Sequence, residues 1–453
     1  MAQITLAQAA EWCGGKIDPK YANTAFLGAT NDSRNLKPGQ LFVALKGTRD
    51  GHDFIPMAME NGAAAVLCSH CDGDYPAIVV EDTRIALGQI AREERKRIGM
   101  KVVGVTGSVG KSTTKEMIAS VLETTYRVAK TPENHNNDIG MPMAILAIPE
   151  DTQVAVLEMG MNHFREISYL TSIALPNLAV IVNIGTMHIE HLGSKEGILQ
   201  AKLEILEGLQ PGGSVLLNGD DEMLWRVRSH LQVPTVYFGE TNEQCAVRAL
   251  NVNHPGKGLS FDVTMPGAQM SVTMAMEGRH YVLDALAAVS VGLQLDVSPE
   301  KIAQALAGFR NMAGRQEIVK QKDYTIIKDC YNAGPESMAA ALTVLGGRPG
   351  RKIAVLGDML ELGLRAPAEH YRIGRIAAEH ADYLFAYGPN GPRVVSGAVT
   401  GGMPATRARA FEDRQVMVGE LKRLAKPGDV LLFKGSHGMH MEIALELFLQ
   451  DRA

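Results

Sequence analysis

Short apolar runs alternate with longer amphipathic segments along most of this chain. The apolar runs have the length of buried strands, and the segments between them space their hydrophobic residues as helices do. Strands that alternate with helices are typical of α/β folds with mainly parallel sheets. The predicted strands are Leu41–Leu45, Lys101–Val105, Val154–Leu157, Leu178–Val182, Val215–Leu217, Tyr324–Ile327, Lys352–Leu356, Tyr383–Ala386 and Val430–Phe433.

The alternation divides into three blocks, which predict three domains. A chain of 453 residues has room for about three domains of roughly 150 residues each. The first block, residues 1–98, ends in the charged, helix-like segment AREERKRIG, which suits a connector. The second block, residues 99–312, opens with the strand at Lys101, and the third, residues 313–453, repeats the alternation from Tyr324 onward.

Composition and charge exclude several classes of protein. Hydrophobic residues make up 46% and charged residues 21% of the chain, which is ordinary globular usage and excludes wholesale disorder. The net charge of −5 argues against a broad nucleic-acid-binding surface. No apolar run has the length of a membrane-spanning helix, and five scattered cysteines fit a reducing compartment. We therefore expect a cytoplasmic protein without membrane insertion, and the lack of a coiled-coil pattern favours a monomer.

The strongest chemical signal is a Gly-rich turn between an apolar strand and an amphipathic helix, in residues 102–122. This setting is typical of a phosphate-binding loop, in which backbone N–H groups and the helix N-terminus hold phosphate oxygens. Lys111 would reach the β- and γ-phosphates, and the Ser112 hydroxyl would bind Mg²⁺. The strict motif fails only at its first position, where Val105 stands in place of glycine. The sequence predicts a nucleoside-triphosphate site formed by Thr106, Gly107, Ser108, Gly110, Lys111, Ser112 and Thr113.

Two more candidate residues follow predicted strands. Glu158 comes directly after Val154–Leu157, where a carboxylate can hold the Mg²⁺ of a phosphoryl-transfer site. A strand-end glutamate can equally be a surface residue, but the phosphate loop upstream favours the metal interpretation. His188 and His191 lack the spacing of a zinc-protease motif. A single histidine beside a Mg²⁺–phosphate cluster is then the more economical interpretation of His188, and a solvated loop histidine is the alternative.

Together these motifs resemble the Mur ligases of peptidoglycan synthesis, over essentially the whole chain. In the first block the resemblance rests on DSR (32–34), PGQLFVALKG (38–47) and DGHDF (50–54). In the second block it rests on TGSVGKSTTK (106–115) and NHNNDIGMP (134–142), and in the third on GRQE (314–317), DCYNAGPESMA (329–339) and LGDMLELG (356–363). The resemblance implies a small N-terminal uridine-nucleotide domain, a central P-loop ATPase domain with a mainly parallel sheet, and a C-terminal Rossmann-like ligase domain.

The resemblance also implies roles for individual residues. The catalytic residues would be Lys111, His188 and Lys202, with Lys202 carbamylated so that it carries an anion. Two Mg²⁺ ions would be held by Ser112, Glu158, His188 and Lys202. ATP would be contacted, beyond the phosphate loop, by His280, Asp284, Arg315 and Asp329. Substrate contacts would come from Ser33, Arg34, Gly47, Asp50, His52, Asn134, Asn136, Asn137, Tyr331 and Asn332.

Three positions depart from the family pattern. Asp284 stands where the family usually has asparagine, Gly334 replaces an asparagine, and His437 replaces an arginine. Asparagine can donate to adenine N7 and accept from its N6 amino group, whereas an ionised aspartate only accepts. Adenine contact at Asp284 is therefore open, and so is the direction in which Gly334 and His437 change affinity for the incoming amine.

The activity that the resemblance implies is ATP-dependent amide formation. D-alanyl-D-alanine would be joined to UDP-N-acetylmuramoyl-tripeptide through an acyl phosphate, with release of ADP and phosphate. The alternative within the family is addition of a free amino acid to the UDP-linked dipeptide, and the third block lacks the Asp-Asn-Pro-Arg motif of the members that add diaminopimelate. The alternative from another class is a nucleotide-dependent switch that binds a partner without ligation. The sequence leaves open whether the third residue of the tripeptide is diaminopimelate or lysine.

Overall fold

The computed structural model describes residues 3–254, 258–312 and 314–450, and three larger sheets follow one another along the chain. The first lies among β1 (Ile4–Thr5), α1 (Leu6–Cys13), β2 (Ala25–Phe26), β3 (Ala29–Thr30), β4 (Leu41–Val43), α2 (Ile55–Glu60), β5 (Ala65–Cys68), β6 (Ala77–Val79) and α3 (Thr83–Ile98). Strands β3 to β6 pair in parallel in chain order, while β1 and β2 form a separate antiparallel ribbon. The predicted charged connector forms the last turns of α3, which ends at Gly99 in the left-handed conformation.

The second sheet has nine strands. Its first elements are β7 (Lys101–Thr106), α4 (Lys111–Glu123), β8 (Val128–Lys130), α5 (Gly140–Leu146), β9 (Val154–Glu158), α6 (Glu166–Ala174), β10 (Leu178–Ile181), α7 (Ile189–Leu192) and α8 (Lys195–Leu203). The remainder are β11 (Ser214–Asn218), α9 (Glu222–Arg226), β12 (Thr235–Gly239), β13 (Val247–Asn253), β14 (Leu259–Met265), β15 (Ala268–Met274), α10 (Tyr281–Gln294) and α11 (Pro299–Gly308).

The strand order of this sheet decides where its chemistry lies. The order is β15-β14-β13-β12-β11-β10-β7-β9-β8, parallel from β13 to β8 and antiparallel across β13, β14 and β15. Strands β10, β7 and β9 are therefore neighbours, and their carboxyl ends meet at one edge. The loops that follow these ends carry the predicted phosphate loop, Glu158 and His188, as expected for a ligand site in a parallel sheet.

The third sheet belongs to the last part of the chain. Its elements are β16 (Glu317–Gln321), β17 (Tyr324–Asp329), α12 (Pro335–Gly346), β18 (Lys352–Gly357), α13 (Ala366–His380), β19 (Tyr383–Tyr387), α14 (Gly391–Thr400), β20 (Ala408–Phe411), α15 (Arg414–Leu424), β21 (Val430–Lys434) and α16 (Met441–Leu449). The order β16-β17-β21-β18-β19-β20 is parallel except for the antiparallel pair of β16 and β17.

Apolar side chains on both faces of the central sheet explain why its strands read as continuous hydrophobic runs. Val103 and Val105 of β7 pack with α4 and α10 on one side, and Val102 packs with α3 and α6 on the other. Within the residues that the structure describes, no helix combines the length and the apolar character needed to cross a membrane.

The α/β fold class with three sheets is confirmed, and each predicted strand is present with ends shifted by at most two residues. The strand predicted as Leu41–Leu45 ends at Val43. The boundaries predicted for the three domains, at residues 98 and 312, stay predictions. The sequence analysis missed the antiparallel β13, β14 and β15, although the inward positions of β14 alternate regularly with outward ones.

Candidate active site

A cavity of about 840 Å³ lies between the central sheet, the third sheet and helix α3 of the first block. The predicted residues that line it are Ser108, Gly110, Lys111, Ser112, Thr113, Asn136, Asn137, Glu158, His188, His280, Asp284, Arg315, Asp329, Tyr331 and Asn332. These residues come from the second and third blocks of the sequence. Arg84 of α3, which belongs to the first block, also lines the cavity, so all three blocks contribute to it. The fold therefore gathers into one place most of the residues predicted to handle the nucleotide.

The phosphate loop is held open between β7 and α4. Gly110 adopts the left-handed φ of 85°, and a Cβ atom there would lie 2.8 Å from Asp284 Oδ1, so only glycine fits. The Asn183 side chain accepts hydrogen bonds from the backbone N–H groups of Ser108 and Val109, at 3.1 and 2.9 Å. Lys111 Nζ folds back to the carbonyl oxygen of Gly107 at 2.8 Å. This geometry presents a lysine and the N-terminus of α4 to an anion.

Oxygen and nitrogen atoms converge around the Glu158 carboxylate. Ser112 Oγ donates to Glu158 Oε2 at 2.7 Å, and Asn136 Nδ2 donates to Oε1 at 2.9 Å. The fully buried Lys115 lies 3.9 Å from Glu158 and donates to the carbonyl oxygen of Thr131 at 2.6 Å. Glu158 itself is 2% exposed. Ser112 and Glu158, each predicted to hold Mg²⁺, are thus in direct contact in the floor of the cavity.

His188 connects the central sheet to the third. It has the left-handed φ of 63° at the start of α7, and its Nδ1 lies 2.5 Å from Glu361 Oε2. This contact with His188 lowers the pKa of Glu361. When one ring nitrogen of a histidine is held by a carboxylate, the other is directed and can bind a metal. Nε2 is therefore the nitrogen available to a ligand in the cavity.

Lys202 lies behind Lys111 and not on the cavity wall. It is on α8, 2% exposed, and among the described residues nothing forms a hydrogen bond or ion pair with its Nζ. Burial, together with the positive charge of Lys111, lowers the pKa of Lys202 well below its usual value. Burial also lowers the pKa of Lys111, with Glu158 opposing the change. A buried amine that loses its proton is a nucleophile.

His280 and Asp284 lie at the start of α10, next to the phosphate loop. Burial lowers the pKa of His280 to about 4, so the imidazole is neutral at physiological pH. Thr114 Oγ1 donates to Asp284 Oδ1 at 2.9 Å, and the aspartate is 4% exposed. Burial raises the pKa of Asp284 to about 7, against the effect of the Thr114 hydrogen bond. Asp284 can therefore carry a proton and donate as well as accept.

The third sheet closes the cavity with a charged pair and a stacked pair. Asp329 Oδ2 accepts from Lys434 Nζ at 2.7 Å, and the same Nζ donates to the carbonyl oxygen of Asn332 at 2.9 Å. The Arg315 guanidinium lies 3.8 Å from the centre of the Tyr331 ring, within the range of a cation–π contact. These contacts fix the wall that faces the phosphate loop.

The remaining predicted residues lie elsewhere. Thr106 and Gly107 come just before the part of the phosphate loop that lines the cavity, and Thr106 Oγ1 donates to the Met159 carbonyl oxygen at 2.9 Å. Asn134 does not line the cavity and is exposed. The substrate-contacting residues predicted in the first block do not line the cavity; they are Ser33, Arg34, Gly47, Asp50 and His52. There, the Arg34 guanidinium donates two hydrogen bonds to Asp32, and Asp50 Oδ1 lies 2.6 Å from His52 Nδ1.

Several residues at the site were missed by the sequence analysis. They are Arg84, Lys115, Asn183, Glu336, Glu361 and Lys434. Asn183 had a usable signal, because it follows the strand next to β7 and so ends at the same edge as the phosphate loop. Lys434 ends β21, and the others lie on helices or in loops. Lys115, Glu336 and Glu361 lie inside motifs that carry the resemblance, but no role was predicted for them.

Gly334, one of the departures from the family pattern, has a packing explanation. A Cβ atom at Gly334 would lie 2.7 Å from Met187 Cγ, so the Met187 side chain occupies the space that a larger residue would need. Gly334 itself has extended backbone, which any residue adopts. His437 lies near the same wall, with its ring centre 6.2 Å from that of Tyr331. Nothing in the structure explains why histidine stands there.

Comparison with known protein families matches most of the chain. Residues 105–292 match the Mur ligase middle domain, residues 314–437 the Mur ligase glutamate ligase domain, and residues 26–103 the Mur ligase family catalytic domain. Among characterised relatives, the chain is 39% identical to the UDP-N-acetylmuramoyl-tripeptide–D-alanyl-D-alanine ligase of Bacillus subtilis (strain 168), over 98% of this chain and 97% of the relative.

Two solved structures share the fold over most of their length. MurF from Acinetobacter baumannii superposes with a TM-score of 0.92 and 32% identity over the whole of both chains. MurF ligase from Thermotoga maritima, in complex with ADP, superposes with a TM-score of 0.82 and 29% identity, over 93% of this chain and 97% of that one.

Replacing Asp284 by asparagine tests the buried carboxyl. The folded protein holds the Asp284 proton up to about pH 7, whereas the unfolded chain loses it near pH 4. Wild-type stability therefore falls as pH rises through this interval, and Asp284→Asn should remove that loss. We expect the variant to have a melting temperature several degrees higher at pH 8, with the difference shrinking toward pH 4. An asparagine that reaches the adenine should also lower the ATP KM. An unchanged KM would show that this side chain does not touch the base.

Restoring the asparagine at position 334 tests the packing against Met187. Gly334→Asn should lower the melting temperature, because its Cβ meets Met187 Cγ at 2.7 Å in the unrelaxed structure. Gly334→Asn combined with Met187→Ala should recover most of the loss, beyond the sum of the single variants. Thermal unfolding of the four proteins measures this coupling, and strictly additive effects would contradict the proposed contact.

Proposed function

This chain belongs to the Mur ligase family, and we propose that it joins D-alanyl-D-alanine to UDP-N-acetylmuramoyl-tripeptide at the expense of ATP. The observation that carries the proposal is the single cavity in which the phosphate loop, Glu158, His188 and the third-sheet wall meet. Relatives named for this activity cover nearly the full length of the chain, which supports the same assignment. The product would be the pentapeptide precursor of peptidoglycan.

In the first half of the reaction, a carboxylate must approach the γ-phosphate of ATP. The terminal carboxylate of the tripeptide attacks the γ-phosphorus, an acyl phosphate forms, and ADP is the leaving group. Both reactants are anions, so the site has to lower their repulsion before they can meet. Lys111 and the backbone N–H groups at the start of α4 supply fixed positive charge for this purpose.

In the second half, the amine of the dipeptide attacks the carbonyl carbon of the acyl phosphate. A tetrahedral intermediate forms, its C–O bond to phosphate breaks, and inorganic phosphate leaves as the amide is made. The acyl phosphate is sensitive to water, so the cavity has to be closed while it exists. The third sheet provides such a cover through the Glu361 contact with His188.

The residues near Glu158 fit a divalent cation. We propose that Ser112, Glu158, His188 and Lys202 hold two Mg²⁺ ions, which would supply charge neutralisation for the phosphates. Mg²⁺ prefers oxygen ligands and keeps several waters and phosphate oxygens, so it needs few protein ligands. In keeping with this, the described part of the chain has no cluster of three or more His, Cys, Asp or Glu side chains able to hold a metal alone.

Carbamylation of Lys202 is part of the proposal. A neutral, buried amine can add CO₂ to give a carbamate and a proton, which turns a cation into an anion. The burial of Lys202 and its lowered pKa support this chemistry. An anion at this position would also offset the charge of Lys111, which lies close enough to depress the pKa of Lys202.

The first unit would hold the uridine nucleotide, with Ser33, Arg34, Gly47, Asp50 and His52 as its contacts. Arg34 is exposed and can offer a planar donor to a diphosphate. Asn134, Asn136, Asn137, Tyr331 and Asn332 are proposed to contact the substrates nearer the phosphate loop. We propose a cytoplasmic monomer, because ATP and nucleotide-linked precursors occur in the cytoplasm and one chain supplies every wall of the cavity.

Omission of each substrate in turn tests the function. We expect phosphate release from ATP only when UDP-N-acetylmuramoyl-tripeptide and D-alanyl-D-alanine are both present, with a product heavier by the dipeptide residue. If phosphate release instead required a free amino acid and UDP-N-acetylmuramoyl-dipeptide, the protein would still be a Mur ligase, but one that adds a single amino acid. Phosphate release from ATP that depends on neither substrate would contradict the ligase function and favour a nucleotide-dependent switch.

Lys111→Ala should lower kcat by roughly a hundred-fold or more, the cost of removing one preorganised charge stabiliser. Steady-state phosphate release with all substrates measures the change. Lys195→Ala is the matched control, because Lys195 is an exposed lysine on α8 that does not line the cavity. Equal activity of both variants would mean that Lys111 does not stabilise the transferring phosphate.

Lys202→Ala tests the carbamate. The wild-type protein with ¹³C-bicarbonate should show a carbamate carbon signal in its NMR spectrum, which Lys202→Ala should lack and Lys195→Ala should keep. Activity of Lys202→Ala should be low and should recover in part when bicarbonate or chloride is added. A fully active Lys202→Ala protein that gains nothing from either anion would contradict the role of the carbamate.

A further inference from the structure

The proposed function requires a place for a positive charge that has not yet been assigned. D-alanyl-D-alanine arrives as an α-ammonium ion, and its nitrogen must end beside the acyl phosphate. An ammonium group is bound in proteins by carboxylates that have no other cation to neutralise them. The following inference rests on the proposed function and asks which carboxylate of the cavity meets this condition.

Most acidic side chains of the cavity already have partners. Asp138 pairs with Arg84 at 3.0 Å, and Asp329 pairs with Lys434 at 2.7 Å. Glu158 accepts from Ser112 and Asn136 and belongs to the proposed metal site.

Two more acids are also engaged. Glu166 accepts from the backbone N–H groups of Asn162 and His163, at 2.6 and 3.2 Å. Asp284 is buried behind Gly110 and holds the Thr114 hydroxyl. Neither carboxylate is free to receive an ammonium ion from the cavity.

Glu336 is the exception. It is exposed, it lines the cavity, and among the residues described here no lysine, arginine or histidine forms an ion pair with it. Its contact is with the Thr186 hydroxyl, which lies 3.1 and 3.3 Å from the two carboxylate oxygens. Thr186 is 5% exposed, so the hydroxyl that contacts the carboxylate belongs to a buried side chain.

The position of Glu336 relative to the phosphate loop is the second observation. Its carboxyl carbon and the Cβ of Ser108 both lie 3.1 Å from the place that a Cβ on Gly185 would occupy. Gly185 N–H donates to Ser108 Oγ at 2.9 Å, so this backbone joins the two. An unneutralised carboxylate beside a loop that binds phosphates is repulsive to ATP alone. It becomes favourable when a cationic group of another ligand lies next to it.

Stabilisation of the N-terminus of α12 by the Glu336 charge does not account for the direction of this side chain. An acid in the first turn of a helix gains from the helix dipole whichever way its side chain points. Glu336 instead crosses to the loop after β10 and accepts from Thr186 of the central sheet. The residue thus belongs to the wall that the third sheet brings to the phosphate loop.

We propose that Glu336 binds the α-ammonium group of the incoming D-alanyl-D-alanine and places its nitrogen beside the acyl phosphate. The nitrogen loses one proton before it attacks and a second as the amide forms, and the departing phosphate takes up both. Thr186 orients the carboxylate, and Ser108 and Gly185 fix its distance from the phosphate loop. This assigns amine recognition to a residue of α12, the helix that follows β17, separate from the residues that bind the nucleotide.

Glu336→Gln tests this assignment, with Glu336→Asp as the conservative variant. Glu379→Gln is the matched control, because Glu379 is an exposed acid on α13 that does not line the cavity. Two rates are measured for each protein. One is ligation as a function of D-alanyl-D-alanine concentration, and the other is hydroxamate formation with hydroxylamine, a neutral nucleophile that traps the acyl phosphate without an ammonium group.

We expect Glu336→Gln to raise the KM for D-alanyl-D-alanine by roughly 10- to 100-fold, the usual loss for a hydrogen bond to a charged group. Hydroxamate formation should not fall, and the ATP KM should not rise, by more than about two-fold, because neither needs the ammonium site. Glu336→Asp should recover part of the affinity, and Glu379→Gln should match wild type.

Other outcomes would overturn the proposal. An unchanged dipeptide KM in Glu336→Gln would show that the carboxylate does not bind the amine. An equal fall in ligation and hydroxamate formation would indicate a structural role, and a raised Mg²⁺ requirement for both would indicate a metal ligand. If the wild-type protein forms hydroxamate but does not use the dipeptide, the proposed function fails and the assignment of Glu336 fails with it, whereas an unchanged dipeptide KM in Glu336→Gln overturns the assignment alone.

Discussion

The hydrogen bonds of Asn183 to the phosphate loop are the constraint around which the rest of the site is arranged. The Asn183 side chain accepts from Ser108 and Val109 and donates back to the Val109 carbonyl oxygen at 2.9 Å. Because Asn183 follows β10 and the loop follows β7, these bonds join the ends of two neighbouring strands. The loop keeps a single shape, and the positions of Lys111 and Ser112 at the start of α4 follow from it.

The sequence predicted those parts of the fold and the site that are determined by a short stretch of neighbouring residues. Buried parallel strands read as apolar runs, and the phosphate loop has a glycine spacing that its backbone geometry requires at Gly110. Glu158 was predictable because a residue at the end of β9 has to lie at the edge that the loop occupies. The ends of most strands were correspondingly close to their predicted positions.

Other parts of the site depend on packing between distant segments and had no local signal. The contacts of Glu336 with Thr186 and of Glu361 with His188 cross between two sheets that are separated by more than a hundred residues of chain. The burial of Lys202 depends on what covers α8, and helix periodicity alone does not give that. The antiparallel β13, β14 and β15 did have a signal, the alternation along β14, which the emphasis on apolar runs passed over. The substitution at Gly334 became intelligible only when Met187 was found in the same space.

The segment from Gly185 to His188 has a consequence for the working cycle of the molecule. It touches the phosphate loop on one side and two glutamates of the third sheet on the other, and His188 holds an uncommon backbone conformation there. A cavity closed by these contacts would release spent nucleotide only when the contacts break. Each round of synthesis would then include one separation of these parts, and how often they separate would limit how many precursors one molecule can make.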